Sequence, residues 1–299
     1  MVHHEVVSRV SFALPSHLDK CPSHYTTNCY DKSNEKIQGE LDMKFVFDLD
    51  GTICFKGQPV SDALLKALEE LVAQGHEVVF ASARPIRDLL PVLHERVHHY
   101  PMVGGNGSMV AAGGARISTV GFDGEVLPVL LQLLTTYNVS YLIDGEWDYA
   151  YRGPADHPIR LHLDPHKLAR NVPLQELESI VKILMLTSDH MAELEERLRQ
   201  LDVVVHAHGG EGVLDISPKG IHKWSGLQQL GVKEREYIAF GNDANDISMF
   251  RHALHAVMIG EHPQLAPYAS EQLPLDEQIE RAIAERLTAL GRLYAVASV

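Results

Sequence analysis

Phe45-Val46-Phe47-Asp48-Leu49-Asp50-Gly51-Thr52 is the stretch whose reading decides the fold. Three β-prone apolar residues run into two carboxylates one residue apart, followed by Gly and Thr, the pattern of a buried strand ending in a tight, acid-bearing turn. In an open α/β sheet the C-terminal edge of the strands is where ligands bind, so the pair is placed for chemistry. On an extended segment residues i and i+2 point to the same side, and two convergent carboxylates call for a divalent cation. Taken alone, the stretch also fits an ordinary solvated turn, because acidic turns after strands are common. The rest of the chain decides between the two.

The 299 residues are 45% apolar and 22% charged, a globular composition with length for more than one domain. A net charge of −14 with no basic cluster argues against a nucleic-acid surface and makes an anionic substrate dependent on local cations or metal. Cys21, Cys29 and Cys54 make no even framework, nothing resembles a secretory signal, and no apolar run approaches the roughly 20 residues of a membrane span. The expected location is therefore a reducing cytoplasm. Residues 1–42 are polar, rich in His, Ser, Asn and Lys, and without period; they read as a poorly ordered leader before Met43.

Outward from the acidic turn, Leu64, Leu65, Leu68, Leu71 and Val72 recur at helical spacing within Val60 to Ala73, with Ser61 or Asp62 as the start and Gly75 as the stop. Glu77 to Ala81 is a second buried strand, which makes a βαβ unit and hence a parallel sheet. It ends in Ser82-Ala83-Arg84-Pro85, with Pro85 in the first turn of a helix expected over Ile86 to Val97, an N-terminus that suits an anion. Gly104-Gly105-Asn106-Gly107 is a turn needing positive φ. From about Gly121 to His208 helices alternate with short strands, which predicts an inserted α+β domain over 121–208 between core segments 43–120 and 209–299. The core is expected to resume with Val213 to Ile216, then a helix opened by Ser217-Pro218-Lys219-Gly220-Ile221-His222-Lys223. A buried strand, Glu236 to Phe240, ends in a second acidic loop, Gly241-Asn242-Asp243-Ala244-Asn245-Asp246.

Four strand ends thus carry two carboxylates, a Ser-x-Arg, a Lys and a second acidic loop. A metal, a cation, donors and an in-line nucleophile are what phosphoryl transfer requires. In their order these motifs resemble those of the haloacid dehalogenase superfamily of phosphatases. The inserted block, the Asn106-Gly107 turn and Pro218-Lys219-Gly220-x-x-Lys223 resemble its Cof-type, type IIB branch. The likeness runs from about Met43 to the C-terminus and implies a Rossmann-like parallel core with an inserted cap.

The resemblance implies Asp48 as nucleophile and Asp50 as general acid and then base. It implies Ser82 and Lys223 as phosphate ligands with Asn106 and Asn245 nearby, and Mg²⁺ held by Asp48, the Asp50 carbonyl and the fourth motif, that is Asn242, Asp243 and Asp246. One departure stands out: the family's usual Gly-Asp-x-x-Asn-Asp begins here Gly241-Asn242, and an amide brings no charge to a metal. In the cap, Trp147, Tyr149, Tyr151, Arg152, His157, Arg160 and His162 form an aromatic, basic and His-rich stretch that suits a sugar phosphate; alternatively Trp147, Tyr149 and Tyr151 pack as one strand face. The expected activity is Mg²⁺-dependent hydrolysis of a small phosphorylated metabolite. The rivals are a phosphomutase of the same superfamily and a phosphate-binding or regulatory protein of low turnover.

Overall fold

The computed structural model describes residues 10–11, 43–208 and 212–295. In chain order the first strands are β1 (Val10–Ser11), β2 (Lys44–Phe47), β3 (Glu77–Ala81), β4 (Met102–Gly104), β5 (Met109–Ala112) and β6 (Ala115–Thr119), with helices α1 (Asp62–Ala73) and α2 (Ile86–Leu89) among them. Next come α3 (Val126–Thr136), β7 (Ser140–Asp144), β8 (Tyr149–Arg152), β9 (Lys182–Thr187), α4 (Met191–Leu198), β10 (Val203–His208) and β11 (Val213–Pro218). The chain closes with α5 (Lys223–Gln229), β12 (Tyr237–Gly241), α6 (Ile247–His252), β13 (His255–Ile259), β14 (Glu271–Leu273) and α7 (Ile279–Tyr294).

The core is a nine-stranded sheet in the order β1-β6-β5-β4-β3-β2-β12-β13-β14. Neighbours from β4 to β14 are parallel, and β5, β6 and β1 add an antiparallel edge. The chain moves outward from β2 through β3 to β4 and returns as β12 on the other side of β2, so the strand order reverses between β2 and β12. Crevices at such a reversal, beyond the carboxyl ends of the strands, are where α/β sheets bind ligands. Phe45 and Phe47 join the cluster under α1 and α7, while Val46 joins the cluster under α5 and α6. That two-sided burial explains why β2 reads as an unbroken apolar run rather than an alternating one. Ser61 caps α1, its Oγ accepting the Leu64 N–H at 3.4 Å, and Gly75, at φ +92°, follows its end.

Two expectations are corrected, and one strand was not anticipated. The helix expected over 86–97 is α2 alone, followed by 3₁₀ turns at Leu90–Val92 and Glu95–Val97, with Pro85 as its N-cap rather than inside its first turn. Pro91 is the cause, since it lacks an N–H and crowds the carbonyl four residues earlier. β6 carried no apolar signal, being only half-buried. Most consequentially, β11, expected to restart the core, pairs with β10 and β9 in a second, five-stranded sheet of order β10-β11-β9-β7-β8. A buried apolar strand does not announce its sheet; the hairpin with β10 draws it into the cap, and the return to the core falls after Pro218. Of the leader, β1 pairs with β6 through Val10–Arg116 and Ser11–Ala115; the remainder of 1–42 lies outside the described residues.

One face of the second sheet packs on α3 and α4. Its other face, carrying Leu142, Leu184 and Val213, looks toward the acidic edge of the core. Among the described residues no helix is long and apolar enough to cross a membrane. Cys54 is buried in the core behind the acidic turn, where burial pushes its thiol up to about 12.

Candidate active site

The end of β2 places Asp48 at the reversal of strand order, 5% exposed. The turn that follows is possible because Gly51 takes φ +79° and leaves the space of a Cβ to the Asn242 side chain. Thr52 folds back so that its Oγ1 donates to Asp48 Oδ2 at 2.9 Å. Opposite it, the fully buried Lys223 donates to Asp48 Oδ1 and to Asp246 Oδ1, both at 2.6 Å. Lys223 opens α5, whose N-cap, His222, presses its carbonyl against Gly107; a Cβ on Gly107 would collide with it. The Gly-rich turn, with φ of +57°, +57° and +121° at Gly105, Asn106 and Gly107, therefore sets the depth at which Lys223 enters the site.

Burial pushes the Asp48 carboxyl up to about 7, with Lys223 pulling it down and Asp246 adding to the rise. Burial alone would lower the Lys223 ammonium, but Asp246 and Asp48 outweigh it and hold Lys223 above the usual lysine range. The second Asp246 oxygen accepts the backbone N–H groups of Asn242 at 2.8 Å and Asp243 at 3.1 Å, so Asp246 ties the fourth loop to the lysine. Asp50, half exposed, is gripped by Arg84 through Nε to Oδ2 at 2.7 Å and through its terminal nitrogen to Oδ1 at 2.6 Å. A two-pronged guanidinium contact fixes both the direction and the roll of a carboxylate. Ser82, 1% exposed, accepts the Arg84 N–H at 3.1 Å.

Asn242, with its amide nitrogen turned toward the acceptors around it, donates to Asp48 Oδ2 and Thr52 Oγ1, each at 3.2 Å, and to the Asp50 carbonyl at 3.1 Å. Turned the other way, the Asn242 amide presents its oxygen beside the Asp48 carboxylate and the Asp50 carbonyl, all hard donors of the kind Mg²⁺ takes, so the residues present fit that ion in this second orientation. No group of three or more His, Cys, Asp or Glu suited to a metal exists among the described residues, so the donor set depends on the carbonyl and the amide. Asp243 caps the next turn, accepting the Ala244 N–H at 2.6 Å, and meets His262 Nε2 at 3.2 Å.

A cavity of about 390 Å³ separates this edge from the cap and is lined on the core side by Asp48, Asp50, Ser82, Arg84, Asn242 and Asn245. Asn106 does not line it. It lies behind, its Oδ1 accepting from Asn245 at 3.3 Å and its amide donating to Asp215 of β11 at 3.1 Å. Of the cap stretch singled out from sequence, His162 lines the cavity, but Tyr149, Arg152 and Arg160 lie elsewhere. Tyr149 lies under the Arg87 guanidinium at 4.9 Å, Arg152 donates to Asn138, and Arg160 sits over Tyr151 at 5.5 Å. Tyr149 and Tyr151 thus serve cation–π contacts on the cap itself and to the core.

The residues that join cap to core were not singled out. Arg87, 1% exposed, reaches from α2 to Asp144 at 2.5 Å and to the Trp147 carbonyl at 2.7 Å while holding its neighbour Asp88. Burial raises the Asp88 carboxyl against the pull of Arg87. Lys182 of β9 pairs with Asp215 at 2.9 Å and donates to the Ala83 carbonyl at 2.6 Å. The signal available was a charged residue inside an otherwise apolar run, Lys182-Ile183-Leu184-Met185-Leu186.

The profile of the haloacid dehalogenase-like hydrolases matches residues 45–283, and the chain belongs to that family. Within it the chain is a phosphoric monoester hydrolase. It is 27% identical over 222 residues to the 5-amino-6-(5-phospho-D-ribitylamino)uracil phosphatase YbjI of Escherichia coli strain K12, an alignment covering 69% of this chain and 80% of that one. To the HMP-PP phosphatase of Yersinia enterocolitica it is 25% identical over 256 residues, covering 79% and 89% respectively. In structure it resembles the HAD subclass IIB sugar phosphatase BT4131, with a TM-score of 0.68 at 20% identity over 83% of this chain and 99% of that one. TM0651 from Thermotoga maritima aligns with a TM-score of 0.66 at 21% identity, covering 82% and 97%. At such identities the structures establish the shared fold, a parallel core with an inserted cap.

Proposed function

We propose that the chain is a Mg²⁺-dependent phosphatase of small phosphomonoesters that works through an aspartyl-phosphate on Asp48. The observation that carries this reading is the Asp48 carboxylate fixed between Lys223 Nζ and Thr52 Oγ1 at the floor of the cavity. In the first half-reaction an Asp48 oxygen bonds to phosphorus, the ester P–O bond breaks, and the departing alkoxide takes a proton from Asp50. In the second, water attacks phosphorus and gives one of its own protons to Asp50, while the bond between phosphorus and the Asp48 oxygen breaks and inorganic phosphate leaves. Arg84 aims Asp50, and Ser82, Asn245 and Lys223 serve the phosphoryl oxygens. Asp48, the Asp50 carbonyl and Asn242 would hold Mg²⁺, with Asp246 behind them; the ion neutralises phosphate charge as a Lewis acid.

The expectation of sugar phosphates rested on a cap stretch in which Tyr149, Arg152 and Arg160 lie off the cavity while His162 lines it. A volume of about 390 Å³, near the lower end for ligand pockets, supports a compact substrate. The test is phosphate release from acetyl phosphate and a panel of phosphomonoesters with Mg²⁺ and with excess chelator. Turnover that needs Mg²⁺ is expected; turnover unchanged by chelator would remove the metal from the reading.

The rival of a low-turnover phosphate-binding protein rests on Asn242. Asn242→Asp adds a full charge to the donor set, so the Mg²⁺ concentration for half-maximal rate is expected to fall about tenfold while the saturated rate changes little. A large gain in the saturated rate would instead mark the natural site as degenerate. The phosphomutase rival predicts isomerisation of a hexose phosphate without net phosphate release.

A further inference from the structure

The floor of the cap sheet mixes two characters. Leu142, Leu184 and Val213, on adjacent strands β7, β9 and β11, present an apolar surface to the cavity. Two residues from Leu184 on the same strand face stands Lys182, 4% exposed, directly above the Ser82–Arg84 segment. An ammonium carries three donors. Two of those on Lys182 go to the Ala83 carbonyl and to Asp215, and the side chain lines the cavity. The charge of this lining is lopsided. Asp48, Asp50, Asp88, Asp144, Asp215 and Asp243 face the cavity against Arg84, Lys182 and His162, with Lys223 and Arg87 behind the wall, and each of these lysines and arginines already holds at least one carboxylate.

We infer that Lys182 is a specificity-determining residue and that the substrate is the monophosphate of an uncharged, ring-sized alcohol carrying one hydrogen-bond acceptor and an apolar face. This rests on the phosphatase reading of the same cavity. The phosphoryl group lies against Asp48 and Ser82, the apolar face of the leaving group lies on Leu142, Leu184 and Val213, and the third Lys182 donor meets the acceptor. Because Lys182 is neutralised by Asp215, it favours a neutral acceptor such as a carbonyl or ring nitrogen over a second anion. A second phosphate or a carboxylate would enter a lining of carboxylates with no lysine or arginine to spare, at the repulsion and desolvation cost of like charges in a confined site.

The experiment compares kcat/KM for benzyl phosphate and the three pyridylmethyl phosphates, which differ only by a ring nitrogen, with glucose 6-phosphate, fructose 1,6-bisphosphate and acetyl phosphate alongside. The best pyridylmethyl isomer is expected to exceed benzyl phosphate about tenfold, the gain of one well-placed hydrogen bond to a charged donor. Both are expected to exceed glucose 6-phosphate, with the bisphosphate slowest. In Lys182→Met the pyridyl-to-benzyl ratio is expected to fall to about one. A residue that merely fastened the cap would lower both rates and leave the ratio intact, and that result would overturn the inference. So would a wild-type ratio of one, or a preference for the bisphosphate, neither of which depends on the variant folding. Hydrolysis of acetyl phosphate with no ring-nitrogen preference sinks this inference alone; no hydrolysis of any member sinks the phosphatase reading and this with it.

Discussion

Asp48→Asn is expected to reduce phosphate release by at least about 10⁴-fold while leaving the fold intact. The amide has the shape of the carboxylate, and its oxygen still accepts from Lys223 or Thr52, the two groups that hold Asp48 now. What it lacks is the electron pair of an anionic oxygen to place on phosphorus. Stability is expected to change little, because the native carboxylate is itself strained by burial, which pushes it up to about 7. Lys223 keeps Asp246 at 2.6 Å as a partner in the variant. Phosphate release, a thermal melt, and acid-quenched peptide mapping of wild type and variant check this together. Wild type should yield a phosphorylated peptide containing residue 48 and the variant none. Residual turnover above about 1% of wild type would place the nucleophile elsewhere.

The site was legible in the sequence where chemistry is local. Asp48 and Asp50 announce themselves because charge directly follows a buried strand, and Lys223, Ser82 and the fourth loop because each stands at a strand or helix end of the same sheet. The cap was not legible to the same degree, because its contribution depends on pairs far apart in sequence. Lys182 and Asp215 are 33 residues apart, as their numbers show, and Arg87 meets Asp144 across 57 residues. Nothing in the neighbourhood of either residue announces the partner. β11 illustrates the same limit: Val213-Leu214-Asp215-Ile216 is buried in either sheet, and only pairing with β10 decides which. Tyr149, Arg152 and Arg160 carried the residue types of a binding surface, but the register of β8 with β7 turns Tyr149 to Arg87 and Arg152 to Asn138, and Arg160, in a 3₁₀ turn, sits over Tyr151. Thr52 was in view within the deciding stretch; its hydroxyl acquires a role only once the turn brings it back onto Asp48.

Lys223→Met is expected to lose both activity and stability, and the second loss is the more informative. The lysine is fully buried between two carboxylates that approach its nitrogen at 2.6 Å. Methionine fills a similar path without charge, leaving Asp48 and Asp246 to face each other with the ammonium gone. Removing one partner of a buried ion pair typically costs about 3–5 kcal/mol, for a chain of this length a melting temperature lower by about 5–8 °C. Most of that cost is the unpaired carboxylates rather than the bridge itself, which yields a sharper expectation. Adding Asp48→Asn to Lys223→Met removes one of the two stranded charges and should recover part of the lost stability. The double variant should therefore melt above Lys223→Met although it carries one change more, a coupling that a double-mutant cycle measures directly. If the double variant melts lower by the sum of the single effects, Asp48 and Lys223 do not share a buried interaction, and the geometry that carries the proposed function is wrong.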